Sequence, residues 1–184
     1  MEGITETLST TVITESKEEC FQKIVELFNQ RLTLEVYEQI TTTKGNTQET
    51  ERIYIDIMKS VLETLNYSYE EAGSQQKFDF RKVNGIPDFN LELKKTKGYR
   101  IMCNDTLPSN KAFYIVIFTG NSHYPPQLIA MNGGSLIDDE SSWVYDYHRH
   151  ILFMRELYRG RPGNVSVCAR ANFSVNIRDH LSES

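Results

Sequence analysis

The chain has 184 residues, 39% of them hydrophobic and 11% aromatic, with a formal net charge of −5. That content supports one buried core and excludes a disordered or collagen-like chain. No run of about 18 apolar residues occurs, so no membrane-spanning helix is expected, and the polar, acidic start MEGITETLSTTVITE lacks the pattern of a signal peptide.

Cys20, Cys103 and Cys168 are far apart and odd in number, which predicts reduced thiols in an intracellular, cytoplasmic protein rather than a disulfide frame or zinc site. Charge is unevenly spread. Residues 1–71 carry 6 basic and 14 acidic groups, whereas residues 77–111 carry 8 basic and 4 acidic groups. An acidic chain with a basic middle segment is compatible with a polyanionic ligand despite its net charge, although a solvated basic face has the same composition.

Residues 1–15 read as a flexible tail before a single domain over 16–184. Ser16 and Glu19 form a capping-box pattern. Phe21, Ile24, Val25, Phe28, Leu32 and Val36 then follow helical spacing, which predicts one helix from Lys17 to Ile40. After a polar linker with Gly45, a second helix is expected from about Thr50 to Tyr67, with Ile57, Met58, Val61, Leu62 and Leu65 on one face.

The segment EEAGSQQ breaks that helix. Strands are predicted over 78–83, 88–95, 99–104 and the apolar run Phe113–Phe118, with another in PPQLIAMNGG. A third helix is expected from Trp143 to Tyr158, with Tyr147, Ile151, Met154 and Tyr158 on its buried face and Gly160 and Pro162 stopping it. A last strand pair is expected within 164–178. Helices first, then a meander of strands, then a helix and more strands predict an α+β (α/β) fold with a mixed central β-sheet flanked by helices.

The chemistry concentrates in KFDFRKVNGIPDFNLELKK. Strand side chains alternate, so Leu91 and Leu93 point into a core while Asn90, Glu92 and Lys94 point the other way. On a solvated face such a Glu–Lys pair is ordinary. The preceding strand carries Asp79 between Phe78 and Phe80, and Asn84-Gly85 and Pro87 are turn residues. A four-residue loop over 84–87 pairs Val83 with Asp88 and sets Asp79 opposite Glu92; a two-residue loop sets them diagonal.

Directly opposite residues have Cβ atoms about 4.5–5.5 Å apart. Two carboxylates that close repel unless a cation sits between them, and Mg²⁺ takes one or two carboxylates plus water and phosphate oxygens. Asp88 is the competing first acid, but it lies about 13 Å from Glu92 along the same strand. Glu71 is either an accessory acid or a solvated helix-end residue.

Asp79 followed by Glu92-Leu93-Lys94 on the next strand resembles the PD-(D/E)xK nuclease superfamily, and within it the small type II restriction endonucleases. The resemblance covers about residues 71–118 and departs in one respect: the literal Pro-Asp dipeptide, Pro87-Asp88, lies close to the E-x-K element. It implies a restriction-endonuclease-like fold, with Mg²⁺ held by Asp79, Glu92 and the Leu93 carbonyl, and Mn²⁺ able to substitute.

It also implies that Lys94 positions or helps deprotonate the attacking water and steadies developing charge, and that no organic cofactor is needed. The implied activity is hydrolysis of phosphodiester bonds in double-stranded DNA, by a homodimer that matches two-fold symmetric sites. The acidic N-terminal helices are the expected dimer surface.

Lys95, Lys97 and Arg100 are candidates for phosphate contacts, and Asn104, Asp105, Thr106, Gln75 and Gln76 for base contacts. Asn-Asp-Thr before Pro108 is equally a plain turn. His148, Arg149 and His150, with Arg155, Arg159 and Arg161, sit on the third helix, where phosphate contact and a plain surface role are both open. A nuclease without sequence specificity, for repair or junction resolution, and a non-catalytic binding protein are the rival readings. No Gly-rich phosphate loop, G-x-S-x-G or H-E-x-x-H motif occurs.

Overall fold

The computed structural model describes residues 15–42, 47–72, 78–104, 107–163, 170 and 172–183. Helix α1 (Lys17–Arg31) starts at the expected capping box: the Glu19 N–H donates to Ser16 Oγ at 3.2 Å and the Ser16 N–H to Glu19 Oε2 at 2.8 Å. It does not run on to Ile40. Leu32 leaves helical geometry at φ −81° and ψ 72°, and Thr33 Oγ1 accepts from the Val36 N–H at 3.4 Å, opening a separate helix α2 (Leu34–Thr42). The threonine hydroxyl competes with the helix backbone, so it restarts the helix rather than continuing it. Helix α3 (Thr47–Thr64) begins and ends three residues earlier than expected.

The strands are β1 (Glu70–Glu71), β2 (Phe80–Arg81), β3 (Asn90–Thr96), β4 (Arg100–Asn104), β5 (Ala112–Phe118) and β6 (Gln127–Asn132). Helix α4 (Trp143–Tyr158) and strand β7 (Asn172–Asn176) complete the elements. The five-stranded sheet has the order β1-β2-β3-β5-β6, with β3 parallel to β5 and the other neighbours antiparallel. This is an α+β fold with a mixed sheet and helices alongside.

The meander is corrected in one place: β4 leaves the sheet and pairs with β7 in a separate two-stranded antiparallel ladder. A turn diverts it. Gly98 N–H donates to Thr96 Oγ1 at 3.1 Å, and Thr96 Oγ1 meets the Arg100 carbonyl at 3.0 Å. Parallel strands need a long crossover, and residues 97–111, carrying β4, supply it. Of the strand pair expected in 164–178, β7 is present; residues 164–169 and 171 lie outside the described residues. The strand expected over 78–83 shortens to β2, because Phe78, Lys82 and Asn84 all have positive φ.

Both faces of β5 are buried at every position. Phe113, Ile115 and Ile117 join Leu91 and Leu93 under α1 and α3, whose Ile24, Phe28, Met58 and Leu62 fill that layer. Tyr114, Val116 and Phe118 face the other way, under Ile101, Cys103 and Phe173 of the β4–β7 ladder and Val144 of α4. A central strand enclosed on both sides reads as a continuous apolar run, as this one does. Phe28 has no exposed surface, whereas Leu34 is 76% exposed. Phe28→Ala is therefore expected to cost about 3–5 kcal/mol in urea unfolding, and Leu34→Ala no more than about 0.5 kcal/mol.

Helix α4 spans the expected residues, and Gly160 ends it in the left-handed region at φ 66°. Its buried face differs from the expected one. Val144 is buried and His148, Ile151 and Arg155 are half-buried, while Tyr147, Met154 and Tyr158 stay exposed. The β7 residue Phe173 lies 5.9 Å from the His148 ring and 5.8 Å from that of Tyr147. Trp143 and Phe153 are left 65% and 63% exposed. The N-terminal helices, by contrast, bury most of their apolar side chains against the sheet, with Leu34 of α2 left exposed.

Candidate active site

Strand β3 sets Glu92 and Lys94 on one face. Across the parallel ladder Glu92 lies beside Tyr114, and Lys94 beside Val116. That face is not solvated. The β4–β7 ladder covers it, leaving the Glu92 side chain 17% and the Lys94 side chain 25% exposed, and Lys94 Nζ donates to Glu92 Oε1. An ion pair this far from water needs further compensation, unlike a surface pair.

Asp79 reaches the same place from β2. Phe80 pairs with Leu91, so counting outward sets Asp79 opposite Glu92, as the four-residue loop count predicts. The turn itself is a 3-10 turn at Val83–Gly85, with Val83 N–H donating to the Phe89 carbonyl at 2.9 Å. Asp79 N–H donates to the Leu91 carbonyl at 3.0 Å, and the Leu93 N–H donates to Asp79 Oδ2 at 2.7 Å. The carboxylate thus occupies the ladder position beside Leu93. A strand residue presents its N–H and C=O to the same edge, so the Leu93 carbonyl is turned toward the Asp79 side as well.

Burial, and then the Glu92 charge, push the Asp79 carboxyl up to about 7, against the opposing pull of the Leu93 N–H and Lys94. Burial pushes the Lys94 ammonium down, but the carboxylates of Glu92 and Asp79 outweigh it and hold the group above its ordinary value. Behind them, burial raises the Cys103 thiol to about 11, with Lys94 pulling it back. The Tyr54 and Tyr114 hydroxyls are also raised, chiefly by burial; Glu51, Asp79 and Glu92 add to the first and Glu92 to the second.

Glu51 and Tyr54 of α3 therefore belong to the electrostatic surroundings of the pair. Sequence reading passed over both. Tyr54 sits one helical step before Met58 on an apolar stripe, and nothing local marks Glu51 as different from the other exposed acids of that helix.

The remaining candidates fall out as follows. Asp88 is 61% exposed and pairs with Lys111 at 3.2 Å in the turn, away from Glu92. Glu71 pairs with Lys59 at 2.7 Å. Lys95, a candidate phosphate contact next after Lys94, faces the opposite side of the sheet and donates to the Ile40 carbonyl at 3.5 Å. Lys97 is exposed beyond the end of β3. Arg100 is on β4 and donates to Ser174 Oγ at 2.9 Å.

Asn104 closes β4 opposite Asn172. Gln75, Gln76, Asp105 and Thr106 lie outside the described residues. On α4, Arg149 pairs with Asp146 and Arg159 with Glu156, and Arg161 stacks over Tyr158.

Among the described residues, no three His, Cys, Asp or Glu side chains gather into a metal cage. The donor set on offer is two carboxylates and a main-chain carbonyl, which suits a cation that keeps several waters. No protein-family model matches the chain, and neither does any curated protein or solved structure.

Proposed function

We propose that this chain is a Mg²⁺-dependent endonuclease that hydrolyses phosphodiester bonds. Double-stranded DNA cut at specific sequences, in the manner of a type II restriction endonuclease, is the substrate to test first. One observation carries the reading: Asp79 and Glu92 face each other in a water-poor position, with Lys94 bound to one of them. Burial first, and then the Glu92 charge, disfavour an ionised Asp79, and a divalent cation bound between the two carboxylates would offset both. Mn²⁺ fits the same oxygen donors.

Asp79, Glu92 and the Leu93 carbonyl would hold the ion. When bound, Mg²⁺ supplies charge neutralisation at the scissile phosphate and a water of lowered pKa. Lys94, kept protonated by its carboxylate neighbours, holds a fixed positive charge where negative charge develops on the phosphoryl oxygens. Glu92 fixes the direction of that ammonium through their hydrogen bond. The β4–β7 ladder limits solvent around the group, which strengthens each of these interactions.

Digestion of long unmodified duplex DNA, with single-stranded DNA and RNA in parallel, tests the reading with Mg²⁺, Mn²⁺ and EDTA. Discrete bands are expected from a sequence-specific enzyme and a smear from a nonspecific one. No cleavage of any of the three would end the proposal.

A homodimer is part of it. Trp143, Tyr147, Phe153, Met154, Leu157 and Tyr158 of α4 are each 41–65% exposed. At about 100 Å² apiece they offer roughly 600 Å² per copy, which two copies bring to the lower bound of a specific interface. Sedimentation is expected to give a dimer for the unaltered chain and a monomer for Trp143→Asp/Phe153→Asp; a monomer in both cases contradicts it. The two described cysteines, Cys20 and Cys103, are buried and unbridged, which supports an intracellular, cytoplasmic setting.

A further inference from the structure

A groove of about 340 Å³ opens beside Asp79. One wall is a single face of α3, made by Gln48, Glu51, Arg52 and Ile55 at helical spacing. The other is Ala72 with Glu71, ending at Asp79. The charges along it are not equivalent. Glu71 is neutralised by Lys59 at 2.7 Å. Glu51 and Asp79 line the same groove, and the nuclease reading sets the cation at Asp79. Arg52 is exposed, and none of the described hydrogen bonds or ion pairs includes it. It is a fixed positive charge on a rigid helix, in the same groove as the acid it would serve.

The geometry points to Arg52 as the anchor for a non-scissile phosphate of the nucleic-acid backbone, with the α3 groove as the track along which one sugar–phosphate strand reaches Asp79 and Glu92. This rests on the nuclease reading above. The guanidinium suits the task because its planar fork donates two parallel hydrogen bonds to phosphate oxygens. Ile55 and Ala72 give the groove apolar wall against which a sugar can lie. Its volume, at the small end for ligand pockets, admits about one nucleotide at a time and not a whole duplex. A phosphate held here contributes affinity and register without reading sequence.

The test is binding and cleavage of a fluorescent 20-nucleotide oligonucleotide, single-stranded and as a duplex, with Ca²⁺ in place of Mg²⁺ for the binding arm. Arg52→Ala is expected to weaken binding about tenfold and to lower the slope of log K against log salt by about one. Arg52→Lys should keep the slope and recover part of the affinity. In Mg²⁺, Arg52→Ala should raise KM with kcat changed less than about twofold. Arg178, which follows β7, stacks over Tyr99 at 5.3 Å and does not line the groove, so Arg178→Ala serves as the control with an unchanged slope.

Equal affinity and slope for Arg52→Ala and the unaltered protein would overturn the inference while leaving the nuclease intact. An oligonucleotide bound no more tightly than a mononucleotide would also overturn it, because the groove would then hold a lone phosphate. Failure of the unaltered protein to bind or cut any nucleic acid would remove the nuclease reading itself, and Arg52's role with it.

Discussion

On the proposed nuclease reading, Lys94→Ala will lower Mg²⁺-dependent cleavage by about 10²–10³ in kcat, with KM changed far less. The ammonium lies beside the carboxylate pair, hydrogen-bonded to Glu92 and 25% exposed, so its charge is weakly screened. It is fixed before the substrate arrives and opposes charge that grows only as the phosphorus–oxygen bond to the water forms. An interaction of that kind appears in kcat rather than in binding.

Initial rates on an end-labelled substrate at saturating Mg²⁺ measure it. Lys94→Arg should recover little, because a planar guanidinium does not reproduce the compact ammonium that Glu92 orients. Cleavage by Lys94→Ala within threefold of the unaltered enzyme would mean that Lys94 does not act on the transition state.

The second large effect is on stability. Asp79→Asn should make the metal-free protein more stable at pH 8, by on the order of 2 kcal/mol, or about 4–8 °C in Tm. The direction follows from proton binding. Burial and Glu92 raise the native carboxyl to about 7 from an ordinary 3.8, so between these values the folded chain holds a proton that the unfolded chain has lost. Stability contributed by this group is therefore present at low pH and declines as pH rises through 7.

The asparagine carbonyl can still accept from the Leu93 N–H, so the ladder contact survives while the charge is removed. Mn²⁺ or Mg²⁺ should raise the Tm of the unaltered protein at pH 8 and leave Asp79→Asn unchanged. Thermal unfolding from pH 5 to 9, with and without metal, reads both effects. A flat profile in the unaltered protein together with equal metal responses would show that the two acids do not share a cation. Such a gain in stability on removing the acid is what a functional carboxylate held against electrostatic resistance predicts.

These two residues also mark how far the sequence could be read. The Asp79–Glu92 register was legible because both residues lie within one hairpin, and a hairpin's register follows from its turn and loop length. Asp88 could be set aside for the same local reason, its distance along one strand. Even so, the turn is a 3-10 turn with positive φ at Asn84 rather than an open loop, and β2 is two residues long where six were expected. The left-handed geometry of Phe78 and Lys82 was not foreseen, because neither residue type signals it as Gly or Asn does.

The sequence by itself determined the capping box at Ser16, the span of α4, the inward direction of Leu91 and Leu93, and the placing of the two acids on adjacent strands of one hairpin. Each depends on residues a few positions apart, where helical or strand period and turn chemistry decide the outcome. Only the tertiary structure decided the rest. It sent β4 out of the sheet to meet β7, and so covered a face of β3 that alternation alone marks as solvated.

It also brought Glu51 and Arg52 into the groove beside Asp79, with Tyr54 buried behind the same helix face, from a helix some thirty residues upstream where they look like ordinary positions of an amphipathic segment. It turned Lys95 away from its neighbour's face. Burial and charge coupling at Glu92 and Lys94 are properties of what packs over them, and that layer comes from distant parts of the chain whose contacts leave no local pattern.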